Sequence, residues 1–168
     1  MDTRYEMRDA GMADVEQLVR MRLELETHLS EKNPYLWQFS AKKISGLPDS
    51  YRATIQNPSS KVLVVEDRQT GHIVGMGFGR VVLLDGFVQN KSGSIDDIWI
   101  DPVHRRKGLC RELVSQLVRF FKIEGVEFLA LEYVDGNREA EATWKSLGFR
   151  TVIRKANAML SDVQRKCD

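Results

Sequence analysis

The residues Arg105-Arg106-Lys107-Gly108-Leu109-Cys110 place three cationic side chains directly before a glycine, at the point where one residue pattern gives way to another. Upstream, Ser94–Asp101 reads as a strand; downstream, Leu109–Glu124 carries Leu109, Leu113, Leu117 and Phe120 or Phe121 at helical spacing. A strand feeding a tight glycine turn at a helix start makes an anion site. The first N–H groups of a helix have no intrahelical partner, and the helix dipole adds partial positive charge there. The cations strengthen the same pole, so the turn suits a polyanion such as a pyrophosphate.

The remaining elements must carry this turn. Thr3–Arg8 reads as a first strand, and Met12–Glu31 as a helix with Val15, Leu18, Met21, Leu25 and Leu29 on one face, stopped by Asn33-Pro34. Shorter helical stretches are expected around Ser40–Ile44 and Asp49–Gln56, broken by Gly46-Leu47-Pro48. Lys61–Asp67 and His72–Leu84 form a hairpin about the turn Gln69-Thr70-Gly71, and Asp85–Gly93 is a loop. After the helix at 109 come a strand at Glu127–Tyr133, a helix at Arg138–Leu147 and a last strand or pair of strands over Phe149–Leu160. Ser94–Tyr133 is then one right-handed crossover with a parallel strand pair. Such a pair is expected to be central, burying Val126, Phe128, Leu129 and Leu131. Ligands in such sheets collect at the carboxyl ends of strands, where the cationic turn stands.

Bulk properties narrow the classes. At 168 residues and 19.3 kDa the expected organisation is one domain over residues 1–168. With 42% hydrophobic and 29% charged residues the composition is that of a globular protein. A formal net charge of +1 argues against a nucleic-acid partner, which would call for a basic excess. Cys110 and Cys167 are far apart and form neither a disulfide framework nor a metal-ligand spacing, so no metal is expected. No apolar run reaches membrane-span length and the N-terminus lacks a signal-peptide core, so the expected setting is a reducing cytoplasm without a membrane partner.

The stretch "IDDIWIDPVHRRKGLCRELVSQLV" resembles the GNAT superfamily of acyl-CoA-dependent N-acyltransferases, whose core motif is Arg/Gln-x-x-Gly-x-Gly/Ala between the fourth strand and third helix. Here the motif reads Arg105-x-x-Gly108-x-Cys110, and downstream Asn137, Ala140 and Gly148-Phe149 stand where the family has its Asn, Ala and Gly-Phe. The resemblance covers about residues 94–150, and the element order of residues 3–84 also fits. It implies an α/β (mixed α+β) fold with a strongly twisted mixed sheet, helices on both faces and a V-shaped splay between strands four and five.

The resemblance also implies acetyl-CoA as co-substrate. The strand residues Ile98, Trp99 and Ile100 would pair with the pantetheine, the amides of Arg105, Arg106, Lys107, Gly108, Leu109 and Cys110 would cradle the pyrophosphate, and Asn137 would reach the pantetheine or adenosine side. The reaction implied is direct attack of a primary amine, on a small molecule or a protein, on the thioester, with a backbone N–H near Ile98–Ile100 polarising the carbonyl. The alternative is an acyl-CoA-binding or regulatory module with little turnover. Trp144 favours it, since it stands seven residues after Asn137, where the family often has a tyrosine acid. An indole N–H donates a hydrogen bond but does not surrender its proton near neutral pH. Tyr133 is a possible replacement acid.

Other candidates have competing readings. Asp97 is the preferred base for the incoming amine, because the family often has an acidic residue there. Asp96 is its neighbour on the opposite face by strand alternation, and either carboxylate could instead be satisfied structurally. Cys110 could be a nucleophile at a helix start, but a small residue tolerated beside phosphate is the simpler reading. His104 reads as a solvated turn residue, and His28 and His72 carry no pattern. Gly75-Met76-Gly77-Phe78-Gly79 lies in a strand and lacks dinucleotide spacing, so it reads as a bulge or a close backbone approach. The segment from Tyr35 through Trp37 to Phe39 could wall an acceptor pocket or serve as core. Glu24, Glu26 and Glu31 could attract a cationic amine, with a solvated face as the default. A homodimer through the final strand or the 85–93 loop is a further expectation.

Overall fold

A computed structural model describes residues 3–33 and 38–167. Pro34, Tyr35, Leu36 and Trp37, which include the helix stop and most of the aromatic segment, lie outside the described residues. The chain divides into two compact units, Met1–Asn137 and Arg138–Asp168.

The first unit is a mixed α/β layer. Strands β1 (Tyr5–Asp9), β2 (Ser60–Asp67), β3 (His72–Leu83), β4 (Lys91–Ile100) and β5 (Phe128–Leu131) lie side by side in chain order. All neighbours are antiparallel except β4 and β5, which are parallel and joined through helix α4 (Leu109–Ile123). Helix α1 (Val15–Lys32) follows a single 3₁₀ turn, and the short α2 (Ala41–Ser45) and α3 (Leu47–Gln56) follow α1. Asp14 fixes the start of α1: it accepts the Gly11 N–H at 2.7 Å and pairs with Arg8 of β1 at 2.7 Å. Ser40 caps α2 by accepting the Lys43 N–H.

Helices cover both sheet faces. Val62, Val64, Met76 and Trp99 pack with Val15, Leu18 and Met21 of α1 and with Tyr51 of α3. On the other face the stripe Leu109, Leu113, Leu117 and Phe121 of α4 is buried, which settles the helix face on Phe121. That approach depends on glycine. A Cβ on Gly79 would stand 2.8 Å from Phe121 Cζ, and one on Gly93 2.7 Å from Leu129 Cδ2. Within the Gly75-x-Gly77-x-Gly79 pattern, Gly77 and Gly79 therefore form the close-approach surface for α4, while Gly75 makes room for Ile100 and Val65 of the neighbouring strands.

Two expectations need correction. β5 is an edge strand of four residues, with Phe128 and Ala130 exposed. Among the described residues it pairs only with β4, over Ser92–Ile95, and no strand covers its outer side. The second unit holds α5 (Arg138–Ser146) and α6 (Leu160–Cys167), and no strand forms over Phe149–Leu160. A strand exists only through its ladder; this segment makes none, and Val152 and Ile153 remain exposed. Among the described residues no helix is long and apolar enough to cross a membrane.

Candidate functional site

β4 leads into a 3₁₀ turn at Pro102–His104 and then into the cationic turn. Arg106 has φ +63° and Gly108 φ +80°. Left-handed residues in short turns are what anion-binding backbone concavities are made from. At Gly108 the conformation comes free, whereas at Arg106 it costs roughly 1–2 kcal/mol. Helix α4 begins directly after, with no side-chain cap at Gly108. Its first intrahelical bond runs from the Glu112 N–H to the Gly108 carbonyl at 3.1 Å. The amides of the first turn are thus left to acceptors outside the helix, at the positive end of a fifteen-residue dipole. These residues fit a diphosphate.

The cationic side chains do less direct work than their sequence suggests. Arg105 folds back, donating from Nε to the Ile100 carbonyl at 3.0 Å with its guanidinium 4.8 Å from the Trp99 ring centre. Lys107 Nζ donates to the Tyr5 hydroxyl at 2.8 Å, and that hydroxyl lies 3.0 Å from His104 Nδ1. Arg105 and Lys107 therefore brace the turn on β4 and on buried Tyr5 of β1, while Arg106 is exposed. His104 is half-buried and part of this brace, not a solvated turn residue.

Upstream, β4 carries a bulge. Phe78 pairs with Asp97 and Gly79 with Ile95, which leaves Asp96 without a β3 partner. The extra residue cancels the alternation, so Asp96 and Asp97 share the α1 side, contrary to the opposite-face expectation. Their partners agree. Asp96 accepts from Arg80 at 2.7 Å and from Ser94 Oγ at 2.6 Å, while Asp97 lies 3.5 Å from Arg22 Nε of α1. The parallel ladder stops at Ile95–Leu131, although β4 continues to Ile100. From the bulge onward the β4 edge is released from β5. The splay between strands four and five opens there, along Ile98, Trp99 and Ile100.

Burial pushes the Asp97 carboxyl above the usual aspartate range, opposed by Arg22 and Lys43 and reinforced by Asp96 and Glu26. The Arg22 guanidinium also lies 3.3 Å from Glu26 Oε2 and stacks 4.4 Å from the Phe39 ring centre. Glu26 is buried, so the solvated-face default fails for it. Neither Arg22 nor the burial of Glu26 was singled out from the sequence. The available signal was the run of four-residue steps from Leu18 to Arg22 to Glu26, which continues one edge of the apolar stripe.

The structure gathers Asp97, Ile98–Ile100 and Arg105–Cys110 at the carboxyl end of β4 within the first unit. Tyr133 is half-buried just beyond β5, and Asn137 is buried at the end of that unit. Trp144 belongs to the second unit, where it forms a local cap. The Phe149 N–H donates to the Trp144 carbonyl and the Gly148 N–H to the Lys145 carbonyl, both at 3.1 Å. That bond pair closes a helix, and the Trp144 and Phe149 rings meet edge-on at 5.6 Å as its apolar contact.

Comparison with known proteins decides the family. The Acetyltransferase (GNAT) family model matches residues 23–149, more than half of the chain. The chain belongs to the GNAT family. A curated GNAT relative, the [ribosomal protein bS18]-alanine N-acetyltransferase of Escherichia coli (strain K12), is 28% identical over 116 residues, covering 69% of this chain and 74% of that protein. The GNAT fold is matched by the tetramutant of the BH1408 protein from Bacillus halodurans (TM-score 0.80, 23% identity, 92% and 99% of the two chains). It is matched as well by a predicted acetyltransferase with acetyl-CoA from Clostridium acetobutylicum (TM-score 0.76, 16% identity, 94% and 97%).

Proposed function

We propose that this GNAT protein transfers an acetyl group from acetyl-CoA to a primary amine. The observation that carries the reading is the released edge of β4 running straight into the uncapped start of α4. An extended pantetheine adds to such an edge as a strand would, and the diphosphate then falls at Arg105–Cys110. The solved neighbour from Clostridium acetobutylicum contains acetyl-CoA, which supports the same co-substrate here. The Escherichia coli relative acts on an alanine of a ribosomal protein, which supports a protein or peptide amine among the acceptor classes.

The chemistry follows from the placement. The thioester carbonyl lies at the splay, where a backbone N–H of Ile98–Ile100 stabilises the developing oxyanion. Asp97 takes the proton of the incoming ammonium. The nitrogen lone pair forms the C–N bond, the C–S bond breaks, and the second nitrogen proton passes to the departing CoA thiolate or to water, which leaves the neutral amide. Asn137 holds the pantetheine or adenosine side. A thiol pKa of about 8.5 makes thiolate a tolerable leaving group, so a general acid such as Tyr133 is helpful rather than essential. Trp144 can donate a hydrogen bond but not a proton. That residue is also what favours the second reading, a GNAT-fold acyl-CoA-binding module with little turnover.

Calorimetry with acetyl-CoA tests the first step. Wild-type protein is expected to bind and Gly108→Glu to lose binding, because a side chain there is strained at φ +80° and adds negative charge to the cradle. Unchanged binding by the variant refutes the site. Thiol release over a panel of primary amines separates the two readings: background rates despite measured binding select the binding module.

A further inference from the structure

Around Arg22 the first unit buries more negative charge than it neutralises. The side chains of Glu26, Arg22 and Asp97 are 9%, 12% and 17% exposed, and the single guanidinium serves both carboxylates, at 3.3 Å and 3.5 Å. Asp96 adds nothing to the balance, since Arg80 holds it at 2.7 Å. Lys43 acts on Asp97 only from an exposed position, 5.8 Å from the Phe39 ring centre. One atom is left over. Glu26 Oε1 is buried and accepts no hydrogen bond among the described residues. A buried carboxylate oxygen with no donor is costly, because it has lost water and gained nothing in return. Such a group in a native structure calls for a missing donor, and the local charge says the donor is a cation.

We propose that Glu26 is the acceptor-binding residue of this site, its Oε1 receiving an N–H of the acceptor's primary ammonium beside Asp97. The inference rests on the acetyl-transfer reading and deepens it by naming the acceptor class: an amine that arrives charged, such as an alkylammonium or a peptide N-terminus. The ammonium first completes the hydrogen bonding of Glu26 and balances the extra negative charge. It then gives one proton to Asp97, which leaves the free lone pair for the thioester. Glu26 holds and Asp97 deprotonates. Arg22, stacked on Phe39, hydrogen-bonded to Glu26 Oε2 and ion-paired with Asp97, keeps the two carboxylates together without occupying Oε1.

The test uses the full-length protein with CoA bound, alaninamide as the ammonium probe and N-acetylalaninamide as the neutral control. Glutamate carboxyl carbons are labelled for NMR. Alaninamide is expected to shift the Glu26 resonance and the acetylated control to leave it in place. Glu26→Gln is expected to weaken alaninamide roughly tenfold or more, the loss expected for a hydrogen bond to a charged group, with acetyl-CoA affinity and Tm retained. Glu26→Asp keeps the charge but withdraws the oxygen, and is expected to fall between. An unmoved Glu26 resonance overturns the proposal. So does a Glu26→Gln protein that melts earlier yet binds alaninamide as well as wild type, because Glu26 would then be only a structural partner of Arg22. Failure of CoA itself to bind is read separately, and it strikes the acetyl-transfer reading rather than Glu26 alone.

Discussion

Asp97 is held in an environment that works against its own charge. It is largely buried, and Asp96 and Glu26 stand near with the same sign, so its proton is released at higher pH than from an ordinary aspartate. A base is most useful when its pKa approaches the working pH, so the same features that burden the carboxylate improve it as a proton acceptor. Arg22 limits the effect by favouring the charged form at 3.5 Å. Two outcomes are expected in an acetyl-transfer assay. Asp97→Asn lowers kcat/KM by about 10²–10⁴-fold while leaving acetyl-CoA binding unchanged. The wild-type profile of kcat/KM against pH has an acid limb, rising through the elevated Asp97 pKa, that the variant lacks. A variant with near-normal rate and the same acid limb removes Asp97 from the chemistry.

The helix α4 binds the site to the sheet, and glycine determines how closely. Gly79→Val pushes a branched side chain against Phe121 Cζ, which would already stand 2.8 Å from a bare Cβ. Overpacking of this kind costs about 1–3 kcal/mol. Thermal melting is expected to show a lowered Tm for Gly79→Val, with weaker acetyl-CoA binding as the α4 start shifts. Phe121→Leu in the same chain should restore part of the loss, since the residues share one contact; additive losses argue against this packing. The α4 stripe of Leu109, Leu113 and Leu117 and the strand Lys61–Asp67 were legible because their apolar spacing reports burial directly. So was the turn, through Gly108 and its cations. The β4 bulge was not, because adjacent aspartates look the same in either register and only the pairing of Phe78 and Gly79 reveals the skipped residue. Glu26 was hidden by its type, since a glutamate on a helix reads as solvated until its neighbours are known. The strand expected over Phe149–Leu160 was overread from apolar content, which cannot supply a ladder partner.

Across the whole molecule, the carboxylates divide by what they do to stability. Arg4 holds Asp67 down to about 2 by hydrogen bonding, and Arg8 likewise lowers Asp14. An unfolded aspartate releases its proton near about pH 3.9. Asp67 and Asp14 thus contribute stability that is fully present above that value and is lost as pH falls through their depressed native values. For Asp97 the sign reverses. Its native pKa is raised, so between the unfolded value and the native one the folded state keeps a proton that the unfolded state has shed. Stability from this group therefore declines as pH rises across that window. The Tm measured at constant ionic strength is expected to climb between about pH 2 and 4 and to lose some of that gain above it. Asp67→Asn should flatten the acid-side climb. Asp97→Asn should remove the decline, giving a protein that is more stable than wild type at pH 7 and catalytically poor. If Asp97→Asn instead melts earlier than wild type at pH 7, the aspartate is a stabilising partner of Arg22 and its raised pKa has the wrong sign. A sheet anchored by Arg4–Asp67 and Arg8–Asp14 on the β1 side can tolerate one carboxylate at the β4 splay whose burial works against folding.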